Sequence, residues 1–141
     1  MSKKSVPRQA VTGKVEKSVR LPEQTDQDGK PVWRFSTVDL DGPFKWPKNQ
    51  QQELEIVTKL HNFDSMLWQA IVGSKHHFLS ESSLSKEAKT RLTEIKKDDD
   101  IENLFSFHLQ GKPRIIAIRH QNTAKLLWYD PEHQVAPSEK K

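Results

Sequence analysis

The stretch from Lys112 to Lys125 carries Lys112, Arg114, Arg119, His120 and Lys125 and no acid; carboxylates return only at Asp130 and Glu132. Folded as a hairpin, such a stretch gathers its bases at one edge of a sheet and makes a compact anion patch. An arginine on a strand that faces a groove binds phosphate and stabilises a pentacoordinate transition state as a preformed positive field. His133 follows close behind and has the chemistry of a general acid or base. Tyr129, the single tyrosine, is suited to stack on a base. Each residue has a plainer alternative: the arginines pair with acids of a helical layer, and the tyrosine packs in a sheet. Arg114 and Arg119 are five apart, so a regular strand points them to opposite faces unless a bulge intervenes.

A second polar cluster is Ser74-Lys75-His76-His77, set between apolar segments. Two imidazoles and a lysine bind phosphate or move protons near neutral pH; the alternative is a connecting loop with exposed histidines. Adjacent histidines point apart on regular backbone, so they make a poor metal pair, and no metal or other cofactor is expected. Phe44-Lys45-Trp46-Pro47 reads as an aromatic loop, with Trp46 and Lys45 placed to stack on a base or to bind a partner. The alternative is that Trp46, like Trp33, Trp68 and Trp128, belongs to the core. There is no Gly-rich phosphate loop and no His-Glu-x-x-His helix, which removes the usual nucleotide and zinc-hydrolase signatures. Without cysteine there is no disulfide or thiolate chemistry.

The elements that must position these groups follow from periodicity. Residues 32–38 alternate Val32, Arg34, Ser36 and Val38 against Trp33, Phe35 and Thr37, the pattern of a strand. Residues 48–61 place Leu54, Val57 and Leu60 at helical spacing. Asp64 reads as the N-cap of a second helix stopped by Gly73. Ser85 reads as the N-cap of a third, with an inward stripe of Leu84, Ala88, Leu92 and Ile95. Phe105 to Leu109, Arg114 to Arg119 and Ala124 to Tyr129 read as strands, separated by turns at Gly111-Lys112-Pro113 and at His120–Thr123. The expected order is β-α-α-α-β-β-β. That is an α+β fold of two layers: an antiparallel sheet with helices packed on one face and the other face open.

At 141 residues, 33% hydrophobic and 30% charged, the chain fits one domain. The net charge of +4 is unevenly placed. Six of the 23 Lys/Arg and one of the 19 Asp/Glu fall in residues 1–20, leaving 17 bases against 18 acids in the remaining 121 residues. The expected organisation is a basic flexible arm over 1–30, one α+β domain over 31–135 and a disordered tail over 136–141. An arm of that charge either follows phosphates or is simply solvated. No apolar run reaches the roughly 20 residues of a membrane span, and Met1–Ser5 lacks the apolar core of a secretory signal. The expectation is a cytoplasmic protein.

The element order, together with Leu109-x-Gly111-x-x-Arg114-Ile115-Ile116, resembles bacterial toxins of the RelE/ParE/HigB superfamily. There a Gly-x-x-Arg-apolar-apolar turn and strand recurs in the C-terminal meander. The resemblance covers mainly residues 100–135. It implies a metal-independent endoribonuclease of a toxin–antitoxin system that cuts messenger RNA, often on the ribosome, with an antitoxin as partner. Arg114 would be the phosphate arginine and His133 the C-terminal acid or base. From the residue clusters themselves, apart from the resemblance, His77 is expected as a further proton carrier, and Arg119, Lys125, Lys75 and His76 are expected to bind substrate. Leu127 to His133 further resembles uncharacterised bacterial and phage-borne proteins. The alternative is a non-catalytic phage- or plasmid-coded module that binds a host protein through Phe44-Lys45-Trp46.

Overall fold

A computed structural model describes residues 29–73 and 75–137. The basic arm up to residue 28, Ser74 and the tail from residue 138 lie outside the described residues. Strand β1 (Val32–Arg34) is followed by helix α1 (Gln50–Asp64), helix α2 (Trp68–Val72) and a two-residue strand β2 (His77–Phe78). Helix α3 (Lys86–Glu94) then leads to β3 (Leu104–His108), β4 (Arg114–His120) and β5 (Thr123–Asp130). Short 3₁₀ helices cover Glu81–Ser83, one turn, and Asp98–Asn103, two turns. The fold is α+β with a mixed five-stranded sheet in the order β1-β5-β4-β3-β2. β2 to β5 pair antiparallel, and β1 runs parallel to β5. No helix among the described residues is long and apolar enough to cross a membrane.

Local chemistry sets the helix ends. The Asn49 side chain accepts from the Gln52 backbone N–H at the start of α1, and Ser85 accepts from Ala88 at the start of α3. Asp64 is not a cap for α2. It ends α1, where its carboxylate accepts from the Trp33 indole, and Leu67 takes the N-cap position. The first strand is shorter than its alternation implies. The chain turns after Arg34, and the Thr37 hydroxyl donates to the carbonyls of Arg34 and Leu126 instead of extending the ladder.

The expectation of helices on one face and an open face opposite does not hold. Two buried clusters flank the sheet. Ile56, Leu60, Phe63, Trp68 and Ile71 of α1 and α2 pack with Phe105, Phe107, Ile115, Ala117 and Leu126. Ala88 and Leu92 of α3 pack with Leu104, Ile116, Ile118, Leu127 and Trp128. The strand residues divide between the clusters by parity, as side chains on a pleated strand must. β3 and β4 are buried at nearly every position, the mark of strands covered on both faces. α3 is therefore on the opposite side from α1 and α2.

One irregularity shapes the α3 side. Opposite Ile116 and Ala117 the register jumps from Trp128 to Leu126, so Leu127 is an extra residue in β5. The bulge turns both Leu127 and Trp128 toward α3. The Trp128 indole then donates to Asp39 at 2.8 Å, while Arg91 of α3 grips both oxygens of the same carboxylate at 2.8 and 2.9 Å. Gly42, at φ +86°, lets the guanidinium lie against the turn; a Cβ there would strike Arg91. Burial raises the Asp39 pKa, but the hydrogen bonds from Arg91, Trp128 and the Asp41 amide with the Arg91 charge hold it below the usual value.

Candidate functional site: the arginine–histidine end of the sheet

Arg114 opens β4 immediately after the Gly111-Lys112-Pro113 turn, where Gly111 takes φ +84°. Its Nη1 donates to the carbonyls of Gly111, Lys112 and Pro113 at 2.7, 2.6 and 3.2 Å. The guanidinium thus closes the hairpin from which it projects. It is 9% exposed, and its Nε is buried without a hydrogen-bond partner. Burial lowers its pKa, partly offset by the charge of Asp130, its register partner on β5.

Asp130 shapes the next turn. Its two oxygens accept from the backbone N–H groups of Gln134 and Val135, each at 2.8 Å. The chain there folds back with His133 at φ +59°. Between this turn and the β3–β4 turn lies a hollow of about 420 Å³ lined by Lys112, Arg114, Glu132, His133 and Gln134 among others. That size suits a small ligand. Lys112 and Glu132 face each other at 3.5 Å, both well exposed.

Three more imidazoles cluster at this end of the sheet. His108 is the register partner of Arg114 on β3. The His77 ring lies 5.2 Å and the His76 ring 5.9 Å from that of His108. His76 is buried at right angles against Phe63, and its Nδ1 accepts from the His108 backbone N–H. An imidazole that accepts through Nδ1 carries its proton on Nε2 and is neutral. Burial pushes the pKa of His76 down to about 4, with Lys75, His77 and Arg114 adding to the effect. Burial does the same to His108, also to about 4, followed by Arg114, His77, His76 and His133. At neutral pH both are uncharged bases held beside a fixed cation. Such a group can receive an anion and accept a proton next to it.

The other residues expected at the site lie elsewhere. Arg119 is at the far end of β4 and on the α1 side. Its Cζ stands 4.0 Å over the Trp68 ring and 5.6 Å from Phe78, and its Nε donates to the Gln121 carbonyl. The spacing of five from Arg114 puts the two on opposite faces, and the bulge that could have changed this falls in β5. Lys125 lies on the α3 side opposite Arg34. His120 contacts Asp100 at 3.2 Å. Tyr129 packs against the α1 and α2 cluster, its pKa raised by burial and then by Glu55 and Glu132. Lys75 is exposed on the turn before β2, and Ser74 is outside the described residues.

Trp46 and Phe44 do not form an exposed aromatic loop. Trp46 is 1% and Phe44 4% exposed. The Trp46 indole donates to Glu53 and its ring meets Phe35 edge-on, while Phe44 lies 5.1 Å from Trp128. Only Lys45 between them is exposed. Alternation turns both aromatics inward, so this segment offers no aromatic surface for a base or a host protein.

Sequence reasoning passed over His108 and Asp130. Both were within reach: a hairpin centred on Gly111 pairs position 108 with 114, and Asp130 begins the turn that carries His133. Comparison with protein-family models, curated proteins and solved structures finds no match to this chain.

Proposed function

We propose that this chain is an RNA-binding domain that holds a phosphodiester in the hollow beside Arg114, and that it is a metal-independent endoribonuclease of the toxin–antitoxin kind. The observation that supports this most is that Arg114 and His133 share one hollow, with His108 the register partner of Arg114 and His77 beside His108. RNA then enters at the end of the sheet, because both faces are covered. The cytoplasm is the proposed place of action, and an antitoxin and the ribosome are the proposed partners.

In the proposed reaction the ribose 2′-oxygen attacks the adjacent phosphorus. A P–O2′ bond forms and the P–O5′ bond breaks. Neutral His108 takes the 2′-OH proton, and His133 gives a proton to the departing 5′-oxygen. The products are a 2′,3′-cyclic phosphate and a free 5′-OH. Arg114 and Lys112 stabilise the charge that builds on the phosphoryl oxygens.

The test is cleavage of end-labelled RNA by the full chain in EDTA. His133→Asn suits the positive φ at that position, since asparagine tolerates the left-handed region, and it removes the imidazole. His133→Asn and His108→Gln are each expected to lower the rate about 100-fold or more. Cleavage by both variants at the wild-type rate would remove the proposed mechanism, as would intact RNA in the presence of wild type.

A further inference from the structure

The hollow beside Arg114 carries on its rim a carboxylate that the proposed reaction does not use. Glu132 meets Lys112 at 3.5 Å, and the two stand on the turns that form opposite walls. The backbone on each side is pinned by a buried charge. Arg114 donates to the Lys112 carbonyl, and Asp130 holds the amides of Gln134 and Val135 just beyond Glu132. Both Lys112 and Glu132 are exposed, and a pair of that kind adds little to stability, so it separates readily. Arg114 is 9% exposed and its Nε has no hydrogen-bond partner, which leaves the guanidinium donor capacity for an anion.

The charges around the hollow nearly cancel. Lys112 and Arg114 are cations, while Glu132 and Asp130, the register partner of Arg114, are carboxylates. His133 lines the same hollow and is the proton donor of the proposed reaction, which makes it the remaining positive charge. The balance is one positive charge and matches an anion of one negative charge. A phosphodiester inside a strand is such an anion. A terminal phosphomonoester carries about −1.5 to −2 at pH 7. An anion that draws Lys112 away must lie beside the carboxylate left behind, and a second negative charge there is repelled.

We propose that Glu132, set against Lys112 at the mouth of the hollow, determines specificity by admitting singly charged phosphodiesters and turning away doubly charged terminal phosphates. This rests on the reading of the hollow as the phosphate site and adds the class of phosphate that it takes. The strand is then engaged at an internal linkage and not at a phosphorylated end.

The experiment is NMR titration of the full chain with two probes at low salt, about 50 mM, where screening is weak. The first is thymidylyl-(3′→5′)-thymidine, which has one internal phosphodiester and no 2′-hydroxyl to react. The second is thymidine 3′-monophosphate. Both are followed by the ring signals of His133. Wild type is expected to bind the diester more tightly. Glu132→Gln, a change at an exposed side chain, should raise affinity for the monoester about fivefold more than for the diester, the effect of one extra unit charge some 4 Å from the carboxylate in water. Glu132→Asp keeps the charge and should keep the preference. Equal gains for the two probes in Glu132→Gln, or a wild type that prefers the monoester, would overturn the role of Glu132 and leave the hollow a phosphate site. Ring signals of His133 that neither probe moves would remove the hollow as a phosphate site, and the role of Glu132 with it.

Discussion

Arg114 and Asp130 face each other across β4 and β5, yet their side chains form no hydrogen bond with each other. Arg114 gives Nη1 to the carbonyls of the turn that precedes it, and Asp130 gives its oxygens to the amides of the turn that follows it. Each charge organises one wall of the hollow, and the two interact only through space.

Asp130→Ala should therefore collapse the His133 wall before it alters the sheet. Asp130 is 1% exposed and accepts two charge-assisted bonds. Its removal should cost about 3 kcal/mol, at ~1.5 kcal/mol for each bond. Asp130→Asn keeps one acceptor and should cost about half as much. Urea denaturation measures both; two variants as stable as wild type would mean that the turn is held by other contacts.

Arg114→Lys separates charge from geometry. Lysine keeps the cation but lacks the planar fork that reaches three carbonyls. The variant should lose about 1–3 kcal/mol of stability and at least about tenfold in cleavage rate. A variant with wild-type rate and lowered stability would make Arg114 a clamp of the turn alone.

The imidazoles make the fold sensitive to acid. His76 and His108 have folded pKa values near 4 against the ordinary 6.5. Between those values the unfolded chain takes up protons that the folded chain refuses, so stability falls as pH drops. The contribution is intact above pH 6.5 and is lost progressively toward pH 4. Urea midpoints at pH 7.5 and pH 5 should show the loss in wild type, and His108→Gln should show a smaller one. A wild-type midpoint that holds constant down to pH 5 would contradict the assigned burial of these rings.

On the other side of the sheet, Asp39→Asn should be the most damaging conservative change. It leaves Arg91, whose side chain is 17% exposed, without its counter-charge and weakens the acceptor of the Trp128 indole. Breaking a largely buried pair typically costs about 3–5 kcal/mol, and the partial exposure of Arg91 points to the lower end. Thermal or urea unfolding checks this, with Arg91→Met as the companion variant.

The strands and α3 were legible because their apolar periods are strong. Phe105 and Phe107, Ile115 to Ile118, and Ala88 with Leu92 each fix an element without tertiary help. What escaped was the side of the sheet that α3 covers. Both faces of β3 and β4 carry apolar residues, so their composition says that each is covered but not by which helix. Arg114 and His133 do share a hollow, and parity had already placed Arg119 opposite. The Phe44–Trp46 segment misled because proline and lysine beside aromatics mimic an exposed loop, while alternation buries both rings. The bulge at Leu127 left no sequence signal, and it is what brings Trp128 to Asp39.

The claim that a phosphodiester sits beside Arg114 is tested most directly by NMR of the six histidine side chains during titration with a 2′-deoxy-blocked RNA oligonucleotide, which binds but cannot react at the blocked position. His77, His108 and His133 should shift together, while His61 on α1 and His120 beside Asp100 stay in place. Perturbation of His61 or His120 instead, with His77, His108 and His133 unmoved, would contradict the claim.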